Sequence, residues 1–457
     1  MTDSSEQADE DAMGDRRAGQ DIMARYFQFA EEGTNYRREI IGGVTTFLAM
    51  AYIMFVNPTI LSAAGMDKGA LFTATALASI VGCLLMAFIA RYPVAIAPSM
   101  GLNAFFAYSV VLGMGVPWQT ALVGVLLSGV IFVLITALKL REMILDAIPQ
   151  DLKMASACGI GLFIAFIGFK DSGIVVANKA TLVTLGDMTS AGTLLTVFGV
   201  FISIIFMLRR VPGAIFFGMI ATSCLGLVCG AIDQPTAVVS SIPSVAPLFG
   251  VAVTRLFDDP GSVFTLNMLV VVLTFLFVEF FDTDGTLMAV ATKAGLIENN
   301  RMKRAGPALL ADSSSIVAAS VIGTSPTTSF IESTAGVASG ARTGFAALVT
   351  ALMFVFALFF SPLLQVVTPN VTAPALIIVG VLMVSALDEI QWKKLEIAVP
   401  AFLMMATMPL TYSIANGIAL GLVMYPVTMT VQGRARELHP ILYALFVVFV
   451  LYFAFLT

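Results

Sequence analysis

The sequence predicts an all-α polytopic membrane protein of fourteen spans, arranged as two seven-span repeats of opposite orientation. Three observations predict it. The chain is 58% hydrophobic and 12% charged, with a mean hydropathy of +0.95, a balance that excludes an ordinary soluble protein. Its apolar residues fall into runs of membrane-spanning length. One register also recurs: Thr46-Phe47-Leu48 returns as Thr274-Phe275-Leu276 and Pro98 returns as Pro326, each 228 residues on (46 to 274, 98 to 326). Seven spans per copy is an odd number, so the second copy enters the membrane upside down, the plan of secondary transporters.

Residues 1–37 come first. Asp3, Glu6, Asp9, Glu10, Asp11 and Asp15 crowd a polar segment expected to form a disordered cytoplasmic tail, and it lacks the basic start and apolar core of a signal peptide. The first seven spans are expected near 40–63, 69–90, 100–113, 117–138, 152–169, 191–208 and 213–232. An extracellular linker, 233–262, leads to the second seven, near 265–288, 306–323, 326–340, 344–364, 373–387, 396–410 and 414–431. With the amino terminus inside, only Lys68, Lys170, Lys179 and Arg255 of the 24 lysines and arginines fall outside, a strong positive-inside bias. The apolar run from His439 to Phe455 fits either a dip into the membrane or an interfacial position, which leaves 433–457 unplaced. Cys83, Cys158, Cys224 and Cys229 lie in apolar segments without metal spacing and read as small core residues, so no metal or cofactor is expected.

The eighth span carries the most informative stretch, Phe277-Val278-Glu279-Phe280-Phe281-Asp282-Thr283-Asp284-Gly285-Thr286-Leu287, with three acids in an apolar run. An Asp at the centre of a membrane helix costs roughly 2.5 to 3.5 kcal/mol, so such residues face a protein interior or aqueous cavity and mark transport paths. Glu279 and Asp282 share a helix face and are placed to line one cavity, whereas Asp284 lies about 200° round from Asp282. The plainer alternative, a solvated triplet at a span's end, rests mostly on Asp284.

The third and tenth spans are each preceded by a short extended run with a proline. Val94 to Ser99 leads into one, and Val317 to Ser325 leads through Pro326 into the other, with Ser325 as a natural cap. Two half-helices starting near the bilayer's middle from opposite sides would aim their positive ends at one central binding site. Just beyond these starts lie Gly101, Asn103 and Tyr108 in one, and Thr327, Thr328, Ser329 and Glu332 in the other. Interhelical hydrogen bonding is the alternative role for Asn103 and the Thr/Ser cluster. Asp312 is expected in a cytoplasmic loop. Gly336, Gly340 and Gly344, four apart, are expected to give one helix a bare face for close packing.

Three motifs carry a family resemblance: Pro98-Ser99-Met100-Gly101-Leu102-Asn103-Ala104-Phe105-Phe106, Phe281-Asp282-Thr283-Asp284-Gly285-Thr286-Leu287, and Ser325-Pro326-Thr327-Thr328 followed by Glu332-Ser333-Thr334-Ala335-Gly336. Together they resemble the azaguanine-type purine permeases of the nucleobase-ascorbate transporter superfamily, over residues 38 to about 432. The resemblance implies a homodimer in the plasma membrane. It also implies a moving core of spans one to four and eight to eleven (38–140 and 263–366) and a gate from the remainder (141–232 and 367–432). By motif, Asn103, Asp282 and Glu332 match the family's substrate-contacting positions, and Asp284 departs from the usual threonine.

The chemistry agrees with a purine ligand. Carboxylates at Asp282 and Glu332 accept ring N–H groups, the Asn103 amide offers donor and acceptor, and Thr328 adds a hydroxyl. Phe105, Phe281 or Phe330 would stack on the ring. The expectation is proton-coupled uptake of hypoxanthine, guanine or adenine, with purine, proton, bilayer and a second copy as partners and no nucleic acid. Asp282 is the expected proton carrier, Glu332 chiefly a substrate ligand, and Glu279 or Asp284 the next candidates. Burial and helix amino termini act on a central carboxyl in opposite senses, which would keep it titrating near physiological pH. A xanthine or uracil permease of a sister branch is the alternative substrate reading, and a cation channel the alternative class. An intramembrane enzyme finds no support, because His439, the one histidine, is far from the acids in sequence and no nucleophile-base spacing occurs.

Overall fold

In the computed structural model the described residues are 21–138, 148–235, 237–298 and 301–455. Helices dominate, because backbone groups at membrane depth find no water and must be satisfied within the protein. Ten helices among the described residues are long and apolar enough to cross a membrane, and the chain is a multi-pass membrane protein.

A short helix α1 (Ile22–Tyr26) precedes α2 (Tyr36–Met50) and α3 (Ile53–Ser62), which make one span interrupted at Ala51 and Tyr52. Pro58 has no N–H to give Met54 O, and its ring crowds that carbonyl. One turn earlier the ladder tightens: Met54 N bonds Ala51 O at 3.2 Å and Phe55 N bonds Tyr52 O at 3.1 Å. α4 (Lys68–Leu85) starts at Asp67, whose carboxylate accepts from Ala70 N at 2.7 Å. Strand β1 (Ile96–Pro98) leads into α5 (Met100–Ala104), which widens into a π-helical stretch Phe105–Gly113. α6 (Trp118–Ala137), α7 (Gln150–Asp171), a hairpin of β2 (Val175–Asn178) and β3 (Leu182–Leu185), α8 (Ala191–Leu208) and α9 (Ala214–Val228) follow.

Two short helices, α10 (Val251–Asp258) and α11 (Pro260–Val263), occupy the linker before α12 (Leu266–Ala294), which Thr265 caps. A small hairpin of β4 (Ile297–Glu298) and β5 (Arg301–Met302) reaches α13 (Ala305–Ile322). Strand β6 (Thr327–Ser329), α14 (Ser333–Ala338) and α15 (Gly344–Ala357) come next, the last continuing as 3₁₀ turns to Gln365. α16 (Pro369–Val384), α17 (Leu395–Thr411), α18 (Ile414–Val431) and α19 (Pro440–Phe455) end the described chain. α2 and α4 pack on α15, α6 on α13, and α7 on α16 and α17.

Several expectations are corrected. The run 326–340 is not one helix opening at Ser325-Pro326: it is β6, a turn and the short α14, because Thr327 to Ser329 find a backbone partner in β1. Gly336, Gly340 and Gly344 therefore do not share a helix. Gly336 lies in α14, Gly340 turns the chain beyond it at φ +115°, and Gly344 opens α15. Gly336 does serve close packing, since a Cβ there would lie 2.5 Å from Gly42 O. Cys224 and Cys229 are exposed, not core residues; Cys83 and Cys158 are buried. Residues 1–20 of the expected tail lie outside the described residues, and 21–36 are packed rather than disordered. Ala24, Phe27 and Phe29 are buried, Phe29 meets Tyr36 and Phe345 edge-on, and Tyr26 Oη donates to Phe88 O at 2.7 Å. The aromatic residues supply the apolar area that the acidic stretch lacks.

Candidate functional site

The site is built around the crossing of two extended runs. β1 and β6 pair antiparallel, with Ile96 opposite Ser329, Ala97 opposite Thr328 and Pro98 opposite Thr327. Ser99 N to Pro326 O and Phe330 N to Ala95 O, both 2.9 Å, extend the ladder. Each run thus satisfies the other's backbone where helical bonding stops, and the helices that follow start beside the crossing. Pro98 and Pro326 suit these runs because proline has no ladder donor and favours extended neighbours.

A cavity of about 90 Å³ lies against this crossing. Its polar wall comprises Tyr52, Ser99, Asp282, Thr286, Thr328, Ser329 and Glu332, and its apolar wall includes Phe330 and Ile331 with Val379 and Met383 of α16. Asp282 Oδ2 accepts Ser99 Oγ at 3.1 Å and Thr328 Oγ1 at 3.2 Å. Glu332 Oε1 accepts Tyr52 Oη at 2.6 Å, a short contact. Among the described residues, no side chain donates to Asp282 Oδ1 or Glu332 Oε2. Two acids, five hydroxyls and two aromatic rings therefore border one compartment, with one carboxylate oxygen of each acid without a side-chain donor.

Of the residues singled out in the sequence, Asp282, Glu332 and Thr328 meet here. Glu279, one turn before Asp282, is fully buried but does not line the cavity. Asn103 is also off the wall. Its Nδ2 donates to Asn57 Oδ1 at 3.0 Å, the interhelical role raised as its alternative, and its Oδ1 is buried without a hydrogen-bond partner. Among the described side chains, Phe330 is the one candidate ring on the cavity wall; Phe105 is buried edge-on against Phe275 at 5.0 Å. The side chains of Phe281 and Asp284 lie outside the described residues.

Three participants escaped sequence reasoning. Tyr52 sits where α2 gives way to α3, and Pro58 was the available signal for that break. Asn57 is a fully buried hub whose Nδ2 donates to Thr75 Oγ1 at 2.8 Å and Thr324 Oγ1 at 3.0 Å, while its Oδ1 accepts from Asn103 and from Ser325 Oγ at 3.2 Å. Asp312, expected in a cytoplasmic loop, is instead fully buried on α13. Its Oδ2 accepts Thr283 Oγ1 and its Oδ1 accepts Ser329 Oγ, each at 2.8 Å. An acid near a span's edge reads as solvated until the hydroxyls facing it are known. No group of three His, Cys, Asp or Glu is placed to hold a metal ion among the described residues.

A guanine/hypoxanthine permease, PbuG of Bacillus subtilis (strain 168), is 59% identical over 443 residues, covering 95% of this chain and 100% of the relative. The adenine permease AdeQ of Escherichia coli (strain K12) is 43% identical over 418 residues, 91% of this chain and 93% of the relative. The transmembrane domain of a cyanobacterium bicarbonate transporter, BicA, superposes with a TM-score of 0.62 over 85% of this chain and 97% of its own. At 16% identity that likeness is one of fold alone. The Permease family model matches residues 37–420, in agreement with the three motifs, and with relatives of this length and identity the chain belongs to the Permease family, a family of membrane transporters and not of enzymes.

Proposed function

We propose that the protein is a secondary active transporter that takes up purine nucleobases, with hypoxanthine, guanine and adenine as substrates and the proton as coupling ion. One observation carries the reading. The cavity offers two carboxylate oxygens to which no described side chain donates, Asp282 Oδ1 and Glu332 Oε2, beside the Phe330 ring. A purine supplies the complementary set, ring N–H donors around a flat apolar face. Relatives named for guanine, hypoxanthine and adenine support the substrate class. In this reading Asp282, Glu332 and Thr328 contact the base, and Asn103 acts through Asn57. Asp282 carries the proton, with Glu332 and Glu279 as the other acids within one turn or one cavity of it.

The architecture proposed with this function has fourteen spans in two inverted repeats. The core is 38–140 with 263–366, the gate 141–232 with 367–432, and 233–262 is an extracellular linker. A homodimer in the plasma membrane with a cytoplasmic amino terminus completes it. The 228-residue register and the antiparallel crossing of β1 and β6 support the inverted plan, and the Lys/Arg bias supports the orientation. Uptake of labelled hypoxanthine by proteoliposomes under an inward proton gradient tests the function. Accumulation that collapses with the gradient is expected; a protein that neither binds nor moves any purine is not this transporter.

A further inference from the structure

A second cavity, of about 260 Å³, lies among the spans and takes no part in the site described above. Phe47 of α2, Met54 of α3 and Phe72 of α4 line it from the buried side, and Phe216 of α9 adds a ring from another span. Every side chain that lines it is apolar. A water molecule needs two to four polar partners to settle in such a space, and apolar cavities of about 150 Å³ stay dry and take up benzene or xenon instead. Walls that face a void also forgo dispersion contacts, so a space of this size and lining favours an apolar occupant.

The surroundings decide which occupant has access. Phe356 and Phe360, on α15 and its 3₁₀ continuation, line the cavity yet are 63% and 40% exposed, so the space reaches the protein surface between them. Leu352, Val355 and Phe359 are exposed beside them, in a helix long and apolar enough to cross a membrane. A face of that composition on a spanning helix meets the hydrocarbon of the bilayer. We infer that this cavity is a binding site for one acyl chain of a membrane lipid, which enters past Phe356 and Phe360. The chain lies behind the break of the first span: Ala51 and Met54 line this cavity, whereas Tyr52, between them in sequence, lines the cavity of Asp282 and Glu332. One interrupted turn therefore separates the acyl chain from the phenol that bonds Glu332.

The test locates the chain directly, by electron cryomicroscopy of the full-length protein in nanodiscs made with a phospholipid that carries two bromine atoms on one acyl chain. Against the same lipid without bromine, the wild type should show added density inside the cavity, bounded by Phe47, Phe72 and Phe216, as well as in the lipid belt around the protein. Added density in the belt with none in the cavity overturns the inference, and so does a cavity that holds ordered water. Ala357 also lines the cavity, and Ala357→Phe places a ring in the space. That variant should lose the inner density and keep the belt; an inner density as strong as in the wild type overturns the assignment. Ala357→Leu, a smaller filling, serves if the phenylalanine variant does not fold, and should at least halve the inner density. No purine enters the readout, so this inference and the nucleobase reading stand or fall separately.

Discussion

Thr283 and Ser329 are held by opposite oxygens of one buried carboxylate, that of Asp312, at 2.8 Å each. Thr283 is the residue beside Asp282, and Ser329 lies in β6 on the cavity wall. Asp312 thus fixes the helix bearing one acid against the strand that leads to the other. Asp312→Ala leaves two buried hydroxyls without their acceptor, at a cost of about 1 to 3 kcal/mol for each. Thermal denaturation in detergent should show a clearly lowered Tm, and purine Kd should rise because Asp282 and β6 lose their fixed spacing. Thr283→Val, which removes one donor only, should do less of both.

Asp282→Asn keeps the size and most of the hydrogen bonding of Asp282 but fixes the position neutral. In proteoliposomes the variant should lose accumulation driven by a pH gradient while retaining counterflow exchange of purine. Normal accumulation with normal pH dependence would transfer the proton to another acid, with Glu279 or Asp284 the next to replace.

Asn57 and Asn103 separate stability from recognition. Asn57→Ala removes the partner of four side chains at once, whereas Asn103→Ala removes one bond and an already unpartnered oxygen. The first should lower Tm by several degrees more than the second. Purine affinity in Asn103→Ala should fall by less than about fivefold, below the loss expected for a direct buried contact. A larger loss with an unchanged Tm would place the Asn103 amide on the substrate.

The segment between α18 and α19 provides a pH dependence outside the membrane spans. Hydrogen bonding from Arg434, at 2.6 and 2.8 Å, holds the Glu437 carboxyl below its ordinary range. A depressed folded-state value means that the contact contributes above the ordinary carboxylate range and is lost as pH falls through the lowered value. Arg434 also reaches Glu396 at 2.8 Å and so ties this turn to α17. The protection factors of the backbone amides around 434–442, referred to the intrinsic exchange rate at each pH, should fall on acidification below the carboxylate range. Glu437→Gln should bring the lowered protection to neutral pH with little effect on global Tm, as suits an exposed pair.

What the sequence made legible was what hydrophobicity and backbone chemistry write locally. Apolar runs gave the helices, Pro98 and Pro326 marked the interrupted stretches, and carboxylates too costly for lipid located Asp282 and Glu332. The remainder depended on partners far away in the chain. Thr327 to Ser329 read as a helix start because nothing local shows that Ile96 to Pro98 lies opposite. Tyr52 is an aromatic in an apolar run, indistinguishable from core until Glu332, 280 residues on, is seen to take its hydrogen. Asn103 carries a motif's polarity, but the direction of its amide is set by Asn57.

The pairing of β1 with β6 also bears on how the protein is made. The two strands are separated by some 230 residues, and neither can complete its backbone bonding alone. At about 5 to 20 residues per second, a ribosome needs roughly 12 to 46 seconds to bring Ser329 within reach of Ile96. Through that interval the nascent first half carries an unmatched extended stretch at membrane depth. Until β6 arrives, the ladder groups of Ile96–Pro98 need water or another protein segment as partner, so a chain truncated before Thr327 leaves this stretch unpaired.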